Sequence, residues 1–170
     1  MPTRQALADL LNIPWDGINK FLIQGGCSDG EYVYYAFHVY TRMENIEQGD
    51  DMLYDTAGQR ILCAKLLESG QIDPSTAVVR SFANLDHANS LTYNSKTDQV
   101  IVANLYSQYV EPDKYGYEYN KKTNEYNKVT VLNAAYLRGE KEIINGKEEE
   151  IKLEVSYRYI PCPTRAVSSL

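Results

Sequence analysis

Asp29-Gly30-Glu31-Tyr32-Val33-Tyr34-Tyr35-Ala36-Phe37-His38 decides the reading of this chain. Gly30 supplies the positive φ of a tight reversal. The residues after it are β-favouring, without the polar alternation of a half-solvated strand. They read as a strand buried on both faces, which requires material packed on either side of its sheet. Before the turn stand the apolar run Phe21-Leu22-Ile23 and then Gln24-Gly25-Gly26, read as a bend.

Outward from this strand the chain is punctuated at short intervals. Thr41 to Asp51 is polar and reads as a long loop; Met52–Asp55, a turn at Thr56-Ala57-Gly58, and Gln59–Leu67 read as strand, turn, strand. Ser69–Thr76, with Gly70 and Pro74, reads as a loop, and Ala77–Phe82 as a fourth strand. The same order then returns. Ser90–Asn94 and Gln99–Leu105 read as strands joined by Ser95-Lys96-Thr97-Asp98, Tyr106–Tyr115 as a loop, and Tyr117–Asn120 and Glu125–Leu132 as strands. Glu31–Phe37 aligns with Gln99–Leu105, and Leu53–Gln59 with Glu118–Asn124, at nearly equal offsets. Repetition on this scale marks stacked supersecondary units.

The expected fold class is therefore all-β, with antiparallel four-stranded repeats and one short N-terminal helix. A single domain over 1–170 divides into a helix within 1–15, a first unit over 20–82, a second over 86–132 and a hairpin over 140–160. In the helix Ala6, Leu7, Leu10 and Leu11 share a face, Thr3 caps the start and Pro14 stops the end. It is expected to cover an edge or an end of the β structure. Asn145-Gly146 is the strongest hairpin signal, joining Glu140–Ile144 to Glu150–Tyr159, whose alternation reads as one face buried and one wet.

Composition excludes several functions. The net charge of −6 opposes nucleic-acid binding, which depends on Lys and Arg neutralising phosphates. No stretch reaches the roughly 20 apolar residues of a membrane-spanning helix, and no signal peptide is visible. Cys27, Cys63 and Cys162 lack metal-ligand spacing and read as free thiols, a Cys27–Cys63 bridge being the alternative. Neither a cofactor nor a metal site is expected from the residue pattern. Tyr accounts for 15 residues against three Phe and one Trp, which suits half-exposed strands whose hydroxyls reach water or a partner.

Asp29-Gly30-Glu31-Tyr32-Val33-Tyr34 and Tyr54-Asp55-Thr56-Ala57-Gly58 resemble β-propeller blades, in which an inner hairpin is followed by a Y-D-x-x-x-G hairpin. Gln24–Gly30 and Asp86–Asn94 resemble bacterial propeller-like domains of mostly unassigned function, often found in secreted or surface proteins. The resemblance implies an extracellular or cell-surface location. It covers about Phe21 to Leu132, only two blades, whereas a closed propeller takes about four to eight. The stack is thus expected to stay a partial propeller or to be completed by the C-terminal hairpin, by an oligomer or by a further part of a larger propeller.

Candidate site residues follow. The resemblance puts His87 and Asn89 near a channel mouth, as ligand contacts with His87 an acid or base; the alternative is that both tie down their loop. His38 reads as solvated or locally bonded. Asp29, Asp55, Asp86 and Asp98 sit beside turns, where Asp bonds its own backbone. Tyr106, Tyr109 and Tyr115 crowd the second long loop, and flat amphipathic rings suit sugar or peptide surfaces. The expected function is a non-catalytic binding or scaffold module for a carbohydrate, peptide or surface partner. The alternative, from a resemblance to propeller lactonases, is a calcium-assisted hydrolase with Asn89 and nearby acids at the ion and His87 assisting.

Overall fold

A computed structural model describes residues 4–13, 20–42, 54–82, 85, 88, 90–105 and 127–160. Helix α1 (Arg4–Leu10) is followed by β1 (Lys20–Ser28), β2 (Tyr32–Arg42), β3 (Tyr54–Leu66) and β4 (Ile72–Phe82). Then come β5 (Ser90–Asn94), β6 (Gln99–Leu105), β7 (Asn127–Asn133), α2 (Ala134–Arg138), β8 (Lys141–Ile144), β9 (Lys147–Glu150) and β10 (Val155–Ile160). Two four-stranded antiparallel sheets result, ordered β1-β2-β3-β4 and β10-β7-β6-β5, beside the separate pair β8-β9. The chain is thus mostly β and antiparallel, as its sequence predicts.

β2 is buried on both faces, and that organises the layers. Tyr34 and Ala36, with Ile61 and Cys63 of β3, turn toward Leu91, Val100, Val102 and Leu132 of the second sheet. Phe37 and Val39, with Leu62 and Ala64 of β3, turn the other way onto Leu11 and Ile13. α1 therefore lies over a face of the first sheet rather than at an edge or end. The reason is the apolar second face of β2 and β3, which only a layer can remove from water.

Three strands run longer than their local signals suggest. β1 continues through Gln24-Gly25-Gly26, which forms a bulge between Ile23 and Gly25 instead of a bend. A Cβ on Gly26 would lie 2.7 Å from the Tyr35 ring, so the glycine lets that ring close over β1. β3 runs unbroken through Thr56-Ala57-Gly58, because register moves from His38↔Gln59 to Tyr40↔Thr56 and the extra residues are absorbed as a second irregularity. The Tyr54–Gly58 segment is accordingly strand, not the hairpin its resemblance implies. β4 starts at Ile72, and Pro74 is tolerated because β4 is a sheet edge and register shifts between Cys63 and Lys65. There Thr76 Oγ1 accepts the Lys65 N–H at 2.9 Å, in place of a ladder partner.

The C-terminal third departs most from expectation. Asn145 and Gly146 both take positive φ (51° and 78°), as the type I′ reading requires. The hairpin ends at Glu150, however, and all eight of its strand residues are exposed, so neither face is buried. Val155–Ile160 leaves it to pair with β7, from Val155↔Leu132 to Ile160↔Asn127. The alternation at Ile151, Leu153, Val155 and Tyr157 signals a strand but not its neighbour. β7 would otherwise be an open edge beside the core, and covering it is worth more than lengthening a solvated hairpin. The expected strand at Tyr117–Asn120 lies outside the described residues.

Cys27 and Cys63 are free thiols. Both are cross-strand partners of Tyr34, from opposite sides. Two strand spacings, about 9.5 Å, separate them, beyond the roughly 7 Å that a disulfide spans. Burial is the main cause that pushes their pKa values up, to about 11 for Cys27 and about 12 for Cys63.

If α1 closes the first sheet, Leu11→Ala should cost about 2–5 kcal/mol in urea unfolding. Leu22→Ala, at an exposed β1 position, should change stability by no more than about 0.5 kcal/mol. Equal effects for the two variants would mean that the helix does not cover this face.

Candidate functional site: the Arg138 fork between the sheets

The best-defined polar cluster forms where two hairpin tips meet the end of α2. At the β1–β2 tip, Asp29 Oδ1 accepts the backbone N–H of Glu31 (2.9 Å) and Tyr32 (2.7 Å), while Gly30 takes φ 99°. This is the self-bonding turn Asp that the sequence predicts. Its other oxygen, Oδ2, accepts from the Tyr34 hydroxyl at 2.6 Å. The β5–β6 tip repeats the tyrosine bond alone: Asp98 Oδ1 accepts from the Tyr93 hydroxyl at 2.8 Å, while the side chain that bonds its own turn is Asn94, whose Oδ1 accepts the Lys96 N–H at 3.1 Å. The Tyr34 and Tyr93 rings stack between the sheets, with centroids 6.3 Å apart and planes within 9°.

Arg138 joins the two halves. Its Nη1 and Nη2 donate to Asp98 Oδ1 and Oδ2 at 2.9 and 2.6 Å, a two-pronged geometry that matches guanidinium to carboxylate. Nη1 also donates to the Tyr34 hydroxyl at 3.0 Å and lies 3.5 Å from Asp29 Oδ2; Nε donates to Glu140. The Arg138 side chain is 10% exposed and that of Asp29 9%, whereas Asp98 is 44% exposed. Gly139 holds this geometry by ending α2 at φ 71°, its N–H donating to the Tyr136 carbonyl at 3.1 Å.

The titration behaviour follows from these contacts. Burial alone would raise Asp29, but the Tyr34 hydroxyl, the Tyr32 and Glu31 amides and Arg138 outweigh it and hold its carboxyl below the ordinary value. Asp98 is lowered chiefly by the Arg138 fork, with help from Tyr93. The Tyr34 hydroxyl is pushed up by burial and by its bond to Asp29, and Arg138 is raised by its bonds to Asp98, Glu140 and Tyr34. Asp29, Asp98, Tyr34 and Arg138 are thus each shifted toward the form that these bonds favour. A second cation reinforces the join: Arg80 stacks on Tyr136 at 4.2 Å, and its Nε donates to the Tyr136 carbonyl at 3.1 Å.

His87, Asn89, Tyr106, Tyr109 and Tyr115 lie outside the described residues, as does Asp86. What frames the first two is described. Leu85 and Ala88 are core residues, the Leu85 N–H donates to Gln59 Oε1 at 3.0 Å, and the Ala88 N–H donates to the Leu85 carbonyl at 3.0 Å. His38 does not end its strand in solvent: β2 continues to Arg42, and His38 is 3% exposed. Among the described residues no three His, Cys, Asp or Glu form a metal-ligand group, and no helix is long and apolar enough to cross a membrane. Arg138 escapes the sequence reading, although Ala134-Ala135-Tyr136-Leu137-Arg138-Gly139 carries a signal for it: helix formers closed by a basic residue and a C-terminal glycine.

The topology sorts the connections by end. The tips at 29–31, 67–71 and 95–98, together with α2, sit at the Arg138 end. The connections 43–53, 83–89 and 106–126 all join strand ends at the other end, where Arg42 pairs with Tyr54, Ser90 with Ala103 and Leu105 with Asn127. No protein-family model, curated protein or solved structure matches the chain.

Replacing Arg138 tests the fork. Arg138→Met leaves two carboxylates without their cation and should cost about 3 kcal/mol at pH 7, the low end for breaking a buried pair because Asp98 is partly solvated. Arg138→Lys keeps the charge without the fork and should recover only part of this. Because both aspartates titrate lower folded than unfolded, their contribution is complete above the ordinary carboxylate pKa of about 3.9 and disappears as pH falls through the lower folded values. Wild type should therefore lose stability on acidification below about pH 4, and Arg138→Met should lose less, chiefly by the share of Asp98, since Asp29 keeps its Tyr34 and backbone donors. Parallel pH profiles for the two would show that the fork does not set acid stability.

Proposed function

We propose that the chain is a non-catalytic binding or scaffold module of propeller-like type, recognising a carbohydrate, peptide or surface partner. The observation that carries this reading is the division of labour between the two ends of the strands. At one end the cation, the carboxylates and the tyrosine hydroxyls are consumed in bonds to one another. At the other, the 106–126 connection departs from a strand pair fixed in the core, and its sequence carries Tyr106, Tyr109 and Tyr115. Loops on a rigid β scaffold are where binding residues concentrate, and tyrosine gives large amphipathic contact area at low entropic cost.

His87 and Asn89 belong to the same reading as ligand contacts. In sequence they flank Ala88, which is buried in the core, as is Leu85 two residues before His87.

A glycan array and a peptide array, probed with the labelled chain, test the proposal. A ligand bound by wild type should lose at least about tenfold in affinity with Tyr109→Ala or Tyr115→Ala, since an anchoring aromatic is worth at least about 1.4 kcal/mol. EDTA should leave binding and melting temperature unchanged. Undiminished binding by both tyrosine variants would sink the reading, and a calcium-dependent melt lost in Asn89→Ala would move the hydrolase alternative ahead of it.

A further inference from the structure

The β8–β9 hairpin is an arm whose strand residues are all exposed, with Arg80 of β4 reaching Glu150 at its base. Its base is well held: the Ile151 N–H donates to the Glu140 carbonyl at 3.0 Å, and Glu140 is itself bonded to Arg138. Asn133 grips the outgoing chain, Nδ2 donating to the Lys152 carbonyl at 2.9 Å and Oδ1 accepting the Glu154 N–H at 2.8 Å. Beyond this base every strand residue is exposed, and Ile143, at 71%, is the most exposed large apolar side chain among the described residues. The arm is a two-stranded sheet, so among the described residues each strand has an outer edge of unpaired backbone groups, the kind on which another strand pairs.

The two edges differ in what they admit. In a symmetric antiparallel pair of identical strands, the two-fold axis stands perpendicular to the sheet. Opposed residues then share a face, so one residue must face its own copy across the axis. On β9 that residue is Lys147, Glu148, Glu149 or Glu150. Each register therefore sets like charges opposite, which is destabilising. β9 is also engaged outside the hairpin, since Glu150 reaches Arg80 of β4. On β8 either isoleucine can take the axis without like charges opposed, and Ile143 there keeps the pairing within the strand, whereas Ile144 would pair it with the turn. With Ile143 on the axis, the isoleucine faces itself and Glu142 faces Ile144 of the second copy, so the most exposed apolar side chain is covered.

We propose that a second copy of this chain docks on β8, forming a continuous four-stranded β9-β8-β8-β9 sheet with Ile143 at its two-fold axis. The occupant is a second copy because the pattern of β8 is self-compatible in that register while β9 repels itself in all of them. A contact of four residues per strand buries far less than the roughly 1,200 Å² of a stable interface. The association is consequently weak and rises with concentration. It is independent of any ligand at the tyrosine-bearing connection.

Sedimentation equilibrium of the full chain over a wide concentration range reads it directly. The apparent mass should climb from the monomer's 19.4 kDa toward twice that value. Ile143→Lys places like charges on the axis and should remain monomeric throughout, whereas Glu149→Lys should associate at least as strongly as wild type. Both sites are exposed, so both variants should melt with wild type. Register has its own readout. Cβ atoms facing across strands lie about 4.5–5.5 Å apart, so mild oxidation should link Ile143→Cys into a dimer well ahead of Glu149→Cys. A wild type that keeps its monomer mass at the highest concentration reached would overturn the proposal. So would association of Ile143→Lys equal to wild type, or equally fast cross-linking at position 149.

Discussion

Two sheets with no shared strand-to-strand hydrogen bonds among the described residues are fastened at one end by the Arg138 guanidinium, with Arg80 reinforcing the join through Tyr136. Arg138 reaches Asp98 on the second sheet with both prongs and Asp29 and Tyr34 on the first, and Glu140 takes its remaining direction. The apolar core between the sheets supplies most of the attraction but is non-directional. It can be satisfied by small shifts of one sheet over the other. The fork cannot, because a carboxylate gripped in two places and a tyrosine hydroxyl bonded on both sides fix distance and angle together. Tyr34 is the hinge of this arrangement, its ring in the core and its hydroxyl in the polar cluster.

This constraint explains the otherwise odd path of the last third of the chain. Between β7 and β10 the second sheet is interrupted by α2 and the β8–β9 arm, and that insertion carries Arg138 and Glu140 into place. β10 then closes the edge that β7 leaves open. The second unit is therefore not a plain repeat of the first. The first is a meander of consecutive strands, while the second borrows its outer strand from beyond the insertion. Among the described residues these two sheets are four-stranded and antiparallel and do not close into a propeller.

The polar groups fall into two classes with different consequences for function. Those at the fork are bonded to one another, and these bonds account for the directions in which Asp29, Asp98 and Arg138 are shifted, while burial and the bond to Asp29 raise Tyr34. The proposed ligand contacts, in contrast, belong in sequence to the connections 83–89 and 106–126. A scaffold braced at one end and elaborated at the other is consistent with recognition by loops, and it separates the demands of stability from those of binding.

The residue pattern alone determined the class of the protein and most of its strands. Unbroken β-favouring runs, Gly30 and Asn145-Gly146 act through local sterics and through alternation of side chains, both of which operate over a few neighbouring residues. The self-bonding role of Asp29 was legible for the same reason. Partnership across the fold was not. Nothing near Asp29 or Asp98 announces that both serve Arg138, more than a hundred positions away from the first, and nothing near Val155 says that it belongs beside Leu132 rather than in the hairpin. The turn read at Thr56-Ala57-Gly58 and the loop read at Pro74 are β3 and β4 because a long neighbour demands a long partner, with bulges taking up the mismatch. Those choices were made by the tertiary structure, since the burial of a strand's second face, the covering of an open edge and the pairing of a desolvated charge are properties of what the chain meets in space.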